Sequence, residues 1–119
     1  MKAAEAISTL EAMDQRFHLF QERYSRQDSV VIRTGAGRYQ ILQPTPNPIG
    51  IDVASPPIAL AAADRLTVAE ATARLDLTGA PFEIFADKDT GRACALYARY
   101  DGHYGLLTCS PVRGGHGSW

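Results

Sequence analysis

Two stretches of the chain carry apolar residues at helical spacing, and each is followed by three runs that read as strands. The helical stretches are residues 3–14 and residues 68–78. Their stripes consist of Ala3, Ala6, Ile7, Leu10 and Met13 in the first stretch, and of Val68, Ala71, Thr72 and Leu75 in the second. Recurrence at every third and fourth residue predicts an α-helix with one buried face.

The second helix has a clear start signal that the first one lacks. Thr67 and Glu70 have the spacing of a capping box, in which each side chain accepts a hydrogen bond from the other residue's backbone N–H. The corresponding position before the first helix is Lys2, which has no acceptor to offer. Met1-Lys2 is therefore interpreted as a cut end, and the chain as a fragment of a longer protein.

The strand-like runs after each helix are short and separated by turn residues. They are residues 17–21, 29–34 and 38–42 after the first helix, and residues 81–86, 92–100 and 103–108 after the second. Asp101-Gly102 is a strong two-residue hairpin signal, and Gly91 supplies the positive φ that the preceding loop needs. Arg26 occupies the place of Gly91 in the first set, so that loop is expected to close differently.

The two sets are copies of one unit at a fixed offset. Shifting the chain by 65 positions aligns residues 4–42 with residues 69–107 without a gap. The identical positions include Glu5 with Glu70, Phe17 with Phe82, Phe20 with Phe85, Gly37 with Gly102, and Tyr39 with Tyr104. A repeat of this kind is one supersecondary unit that buries its apolar face against a neighbouring copy.

The repeat divides the chain into four parts. Residues 1–43 form a degenerate first repeat and residues 67–110 the second. Residues 44–66 between them hold five of the seven prolines and read as an extended linker, in which Ile58-Ala59-Leu60 could add an edge strand. Residues 111–119 are expected to form a flexible tail.

A unit of about 40 residues is near the size below which a domain needs a disulfide, a metal or a partner. Two cysteines are too few for a disulfide framework, and no residues have metal-ligand spacing. Pairing of the two copies is therefore the remaining way to stabilise each unit. The predicted fold class is α+β: two tandem α-β-β-β repeats that form an intramolecular pseudo-dimer, with one helix outside each sheet.

Composition and charge exclude several classes of function. The chain has 119 residues and a formal net charge of −1, so nothing draws it as a whole to nucleic acid or to an anionic membrane. No apolar run approaches the length of a membrane span, and there is no apolar segment of a signal peptide. We expect a cytoplasmic, non-enzymatic protein without cofactor, metal, DNA or membrane partner.

The second repeat resembles the C-terminal domain of long-form ribosome hibernation promoting factors. The resemblance lies in the helix opening Thr67–Ala71, the strand Pro81–Phe85, the loop Asp87–Arg92 and the segment Leu96–Leu106. An Asp-Gly turn followed by Tyr-Gly-Leu, after Tyr-x-Arg, is the most specific part. Tandem-copy members occur among actinobacterial dormancy-associated proteins, which this chain resembles.

The resemblance implies a protein–protein module that acts in stress or dormancy. In the family an N-terminal domain, absent from this chain, binds the small ribosomal subunit and blocks translation. The C-terminal domain pairs two molecules, and so pairs two ribosomes. If the first repeat occupies the pairing face of the second, the longer protein would instead hold ribosomes singly inactive. A homodimer that pairs ribosomes stays open as the alternative.

Two sets of residues are expected to matter for this module, although which aromatic residues are core and which are pairing surface depends on an unknown strand register. The predicted pairing interface consists of Phe17, Phe20, Val31, Tyr39, Ile41, Phe82, Ile84, Phe85, Tyr97, Tyr104 and Leu106. The predicted turn and cap residues are Thr67, Glu70, Gly91, Asp101 and Gly102.

Three motifs invite a more specific interpretation. Asp89-Thr90-Gly91 spells the aspartic-protease triplet, but it lies in a charged hairpin loop without a second carboxylate. His103, Cys109 and His116 lack the spacing of a zinc site. Five aromatic residues near Arg92 and Arg99 suggest a platform for single-stranded RNA: Tyr97, Tyr100, Tyr104, Phe82 and Phe85. We favour core and pairing roles for them, because the chain is not basic.

Overall fold

Each predicted helix is present and is followed by its three strands. The computed structural model describes residues 1–51, 58–99 and 101–108. In chain order the elements are α1 (Ala3–Ala12), β1 (Phe17–Gln21), β2 (Asp28–Gly35), β3 (Arg38–Gln43), β4 (Ile58–Ala62), β5 (Arg65–Leu66), α2 (Val68–Thr78), β6 (Phe82–Asp87), β7 (Ala93–Ala98) and β8 (Tyr104–Thr108). The α+β class and its two tandem α-β-β-β units are confirmed.

The strands form two four-stranded sheets. The first has the order β1-β2-β3-β4 and the second the order β5-β6-β7-β8. Neighbours joined by hairpins are antiparallel, whereas β4 runs parallel to β3 and β5 runs parallel to β6. The short strand expected at residues 58–60 is confirmed as β4. Sequence analysis missed β5, whose two residues are too few to show any alternation.

The repeat offset also governs main-chain hydrogen bonds. The carbonyl of Leu66 in β5 accepts a hydrogen bond from the N–H of Lys88 at 3.0 Å. In the first unit the carbonyl of Met1 accepts one from the N–H of Arg23 at 2.9 Å. Met1 and Leu66 are 65 positions apart, and so are Arg23 and Lys88. Met1 therefore lies beside the first unit as Leu66 lies beside the second.

The expectation that the loop at Arg26 closes differently is wrong. The N–H of Arg26 donates to the carbonyl of Glu22 at 2.8 Å, as that of Gly91 donates to Asp87 at 2.7 Å. Arg26 adopts φ 58° where Gly91 has 75°. The buried carboxylate of Glu22 accepts the N–H of Ser25 at 2.7 Å, and this bond inside the turn offsets the strain of a left-handed arginine.

Each helix covers one face of its own sheet and builds a separate core there. The core under α1 contains Ala3, Ala6, Ile7, Leu10, Phe20, Val31, Tyr39, Ile41, Ile51 and Ile58. The core under α2 contains Ala71, Leu75, Phe85, Cys94 and Leu96. Because strand residues alternate between faces, the neighbours of these core residues point away from the helices.

The two helices begin in different ways. Thr67 and Glu70 make both bonds of a capping box: the Thr67 hydroxyl accepts the N–H of Glu70 at 3.1 Å, and the Glu70 carboxylate accepts the N–H of Thr67 at 2.9 Å. At α1 only the second bond is present, from the N–H of Lys2 to the carboxylate of Glu5 at 2.7 Å. These backbone N–H groups lower the pKa of both carboxyls.

The linker is fixed where it leaves β3. Gln43 is fully buried; its amide NH₂ donates to the hydroxyl of Ser29 at 2.9 Å, and its amide oxygen accepts the N–H of Asn47 at 2.9 Å. A short 3-10 turn, Pro48–Gly50, follows. A buried amide with both ends satisfied sets the direction of the chain after β3.

Candidate interaction surface

The helix-free faces of the two sheets meet. In β1 the side chain of Phe17 points away from α1, since Phe20 packs beneath that helix. In β6 Phe82 points away from α2 in the same way. The two rings lie with their centroids 4.8 Å apart at 48°. The two positions are equivalent in the repeat, so this contact joins matched residues of the two units.

A second self-matched contact lies between β2 and β7. The N–H of Ala93 donates to the carboxylate of Asp28 at 3.1 Å, and these positions are again equivalent. Arg92 adds two bonds to the same carboxylate, from Nε at 2.5 Å and from a terminal nitrogen at 3.1 Å. The Asp28 side chain is only 6% exposed whereas that of Arg92 is 35% exposed, so the carboxylate end of this forked, charge-assisted pair is shielded from water and the guanidinium remains partly solvated.

Small apolar residues fill the space beside this ion pair. Val30 is fully buried yet belongs to neither helix-covered core, and the same holds for its counterpart Ala95. Both lie on the helix-free faces by the alternation of β2 and β7, which approach each other there. We call the surface formed by Phe17, Leu19, Asp28, Val30, Phe82, Ile84, Ala93 and Ala95 the seam.

The seam opens at one end into a cavity of about 700 Å³. Its apolar wall includes Leu19, Tyr97 and Leu107, and its rim includes Arg16. The ring of Tyr97 lies over Gly105, its partner in the β7–β8 ladder, so closely that a Cβ on Gly105 would overlap the ring. The Tyr-Gly-Leu segment of β8 therefore gives Tyr97 room to lie flat against the sheet.

The structure divides the predicted pairing residues into three groups. Phe17, Phe82, Ile84 and Tyr97 lie on the helix-free faces. Phe20, Val31, Tyr39, Ile41 and Phe85 lie in the cores beneath the helices. Tyr104 and Leu106 lie on the α2 side of β8 and are 41% and 44% exposed. Only the first group borders the seam.

The matched tyrosines tie the last strand of each unit to its helix. The hydroxyl of Tyr39 donates to the carboxylate of Glu11 on α1, and that of Tyr104 donates to Asp76 on α2. Both pairs have the same sequence separation, which reflects the repeat. Each carboxylate raises the pKa of its tyrosine by holding the hydroxyl proton. Tyr104 is therefore partly exposed and also ties β8 to α2 within its own unit.

The predicted turn and cap residues occupy loop and helix-start positions. Thr67 and Glu70 begin α2, as described above. Gly91 and Gly102 have φ values of 75° and 88° in the two hairpin loops of the second unit. The Asp101 carboxylate accepts the N–H of His103 at 3.0 Å, which closes an Asx turn before β8.

Those aromatic residues suggested for RNA stacking that the structure describes do not all lie on one face. Phe85 is fully buried beneath α2, Phe82 and Tyr97 face the seam side, and Tyr104 faces the α2 side. Tyr100 lies outside the described residues, as do Cys109 and His116 of the suggested zinc set. Cys94 is buried in the core, and burial raises the pKa of its thiol to about 11.

The sequence did not predict the contact between Asp28 in the seam and Arg92 beside it. Asp28 reads as an ordinary solvated charge next to a strand, and Arg92 is of interest there only as a neighbour of aromatic residues. The available signal was their mismatch in the repeat: Asp28 aligns with Ala93, and Arg92 aligns with Gln27. At these positions, next to a strand in both copies, one copy has a charge and the other does not. Such a mismatch indicates that the surroundings of the two copies differ there.

Within residues 1–51, 58–99 and 101–108, no three His, Cys, Asp or Glu side chains come together as metal ligands would. Helices long and apolar enough to span a membrane are absent from the same residues.

Comparison with known proteins finds a matching family model and similar proteins. A family model described as "Sigma 54 modulation/S30EA ribosomal protein C terminus" matches residues 60–106. The chain is also similar to proteins named "Dormancy associated translation inhibitor" from two strains of Mycobacterium tuberculosis, CDC 1551 / Oshkosh and H37Rv. Identity to each is 37% over 114 residues, covering 87% of this chain and 41% of the relative. The chain thus spans less than half the length of these relatives.

Proposed function

We propose that this chain is the non-enzymatic interaction module of a ribosome hibernation factor, because the family model of the Sigma 54 modulation/S30EA ribosomal protein C terminus matches residues 60–106. It would act in dormancy or stress, as the name of the mycobacterial relatives suggests. Binding to the ribosome would come from an N-terminal domain in the longer protein. The chain's own net charge of −1 suits a protein-binding module better than an RNA-binding one.

The module's own task is pairing, and we propose that it pairs within one chain. The observation that carries this is the ring contact of Phe17 with Phe82, made by equivalent residues of the two units. The ion pair between the buried carboxylate of Asp28 and Arg92 supports the same arrangement. A linked partner also has a high effective concentration, which favours internal over intermolecular pairing.

Internal pairing would leave the second unit unable to pair with another molecule through the seam. The longer protein would then silence ribosomes one at a time. The units are expected to follow the boundaries given by the repeat, residues 1–43 and 67–110, with residues 44–66 as the connection and residues 111–119 as a tail.

One observation favours the alternative, a homodimer that pairs ribosomes. β3 is covered by β4, whereas within the described residues β8 pairs only with β7. Leu106 and Leu107 are each 44% exposed on opposite faces of β8. An edge strand with apolar residues on both faces is a template for a further strand, including that of a second molecule.

Ribosome profiles on sucrose gradients separate the two proposals. The longer protein, added to ribosomes, is expected to inhibit translation while the ribosomes sediment as single particles. Phe17→Asp places a carboxylate in the seam, frees the second unit, and is expected to shift ribosomes towards pairs. Leu77→Asp, at a residue 88% exposed on α2, is the control and should leave the profile unchanged. Ribosome pairs with the unaltered protein would establish the alternative. Failure of both forms to inhibit translation would remove the hibernation role.

A further inference from the structure

The segment that precedes α2 joins both sheets. β4 lies along β3 of the first unit, and just after it the N–H of Ala63 donates to the carbonyl of Gln43 at 2.9 Å. At the next residue the carbonyl of Asp64 accepts the N–H of Ala86 at 2.7 Å, and β5 continues along β6 of the second unit. Residues 58–66 therefore cross from the last strand of one unit to the first strand of the other, and we call them the crossing segment.

The crossing segment closes the first sheet but not the second. Ile58, at the start of β4, belongs to the core beneath α1, and the paired β3 residues Tyr39 and Ile41 are 7% and 0% exposed. Tyr104 and Leu106 have the same places in β8 and are 41% and 44% exposed. Within the described residues β8 has a neighbouring strand on one side only. The open edge of β8 is thus the place where the first unit has β4.

The matched contacts of the seam indicate what belongs at this edge. Phe17 meets Phe82, and Asp28 meets Ala93, so both contacts join equivalent residues. Exchanging the two units leaves both contacts in place, as in an isologous dimer. The same exchange carries β4 from the edge of β3 to the edge of β8. In sequence it carries the crossing segment 65 positions back, so that Leu66 falls on Met1 and the rest falls directly before it.

Met1 already lies at the end of such a path. Its carbonyl accepts the N–H of Arg23, as that of Leu66 accepts the N–H of Lys88. Its amino group donates to the carbonyl of Gln21 at 2.8 Å, and a peptide N–H at this place would make the same bond. The chain therefore enters the first unit where the crossing segment enters the second.

We propose that in the longer protein the residues directly before Met1 form a strand parallel to β8 and close the second sheet, as β4 closes the first. Ile58 and Leu60 precede Leu66 by eight and six positions, so apolar residues are expected eight and six positions before Met1. This inference rests on the internal pairing proposed above and adds the partner of the open edge. A strand from the protein's own chain would remove the exposed template for a second molecule.

Amide hydrogen exchange of β8, followed by NMR, tests the inference with two chains. One is the present chain, and the other is extended by the eight residues that precede Met1 in the longer protein. We expect the outward-facing amides of Tyr104–Thr108 to exchange at least about tenfold more slowly in the extended chain, because sheet hydrogen bonds protect them. The amides of β3 are the internal control, since β4 covers that edge in both chains. Proline at the sixth position before Met1 should restore fast exchange, because it cannot donate to the ladder.

Sedimentation equilibrium of the same extended chain separates this inference from the proposed function. Slow exchange of β8 at a constant single-chain mass would support both. Unchanged exchange at a single-chain mass would overturn the added strand and leave internal pairing standing. Slow exchange already in the present chain would also overturn the added strand, because its own residues would then cover the edge. Protection that appears only as the mass doubles would place a second molecule at the edge and overturn both.

Discussion

The two units share a backbone and differ in the side chains that hold it. The first hairpin loops close with the same main-chain hydrogen bond, yet one uses Gly91 with Asp87 and the other uses Arg26 with Glu22. The helices begin with the same carboxylate bond, yet only Thr67 adds a side-chain acceptor. Local features thus tolerate exchange. At the seam the difference between Asp28 and Ala93 involves the other unit, because the Asp28 carboxylate accepts hydrogen bonds from Arg92 and from the N–H of Ala93.

The largest effect is expected from the residues that both units share. Phe17→Ala and Phe82→Ala each remove one ring of the same contact, so we expect similar losses of about 2 kcal/mol in the free energy of unfolding for these half-buried side chains. Urea denaturation of both variants and of the double variant measures this. The double variant should lose clearly less free energy of unfolding than the two single variants lose together, because the second substitution removes a ring that has already lost its partner. Additive losses would show that the rings contribute independently.

The loop comparison predicts effects of opposite sign. Arg26→Gly relieves a left-handed arginine and should change the free energy of unfolding by less than about 1 kcal/mol, in the stabilising direction. Gly91→Ala introduces a Cβ at a positive φ and should cost about 1 kcal/mol. Thermal unfolding of both chains under one condition tests the contrast. Equal destabilisation by both changes would mean that Arg26 contributes contacts of its own.

The difference between the two helix starts predicts a smaller gain in the free energy of unfolding. Lys2→Thr gives α1 the acceptor that Thr67 gives α2, and should add about 0.5–1 kcal/mol to the free energy of unfolding. Thr67→Ala should remove a similar amount from the second unit. Lys2→Ala serves as the control, because it removes the same charge without supplying an oxygen. A gain in that variant as large as with threonine would assign the effect to charge and not to capping.

The smallest predicted effect is a pH dependence confined to the first unit. Burial lowers the pKa of His18 below 6.5, and Glu83 stands at the equivalent position in the second unit. The neutral ring is favoured in the folded chain, so the contribution of His18 is complete above pH 6.5 and is lost as the pH falls through the lower pKa of the folded state. Urea denaturation at a series of pH values should show this loss, and His18→Gln should flatten it below pH 6.5. An unchanged slope in that variant would place the titrating group elsewhere.

The repeat in the sequence predicted the elements well, because helical stripes and Asp-Gly turns are local signals. It failed where the outcome depends on contacts distant in sequence. Phe20 and Phe17 are both aromatic residues of one strand, and only the position of α1 decides which of them is core. The closure of the Arg26 loop depended on a buried Glu22 that reads as an ordinary surface charge. The ion pair of Asp28 with Arg92 could not be found without knowing which faces of the sheets meet.

If the two units pair with each other within one chain, the solution mass of the unaltered chain should not depend on concentration, and sedimentation equilibrium over a wide range of concentration measures this mass. Internal pairing predicts a folded species that keeps the single-chain mass of 12.9 kDa at every concentration. A mass that rises towards twice this value with concentration would contradict it, and would show that the chain presents a further pairing surface to a second molecule.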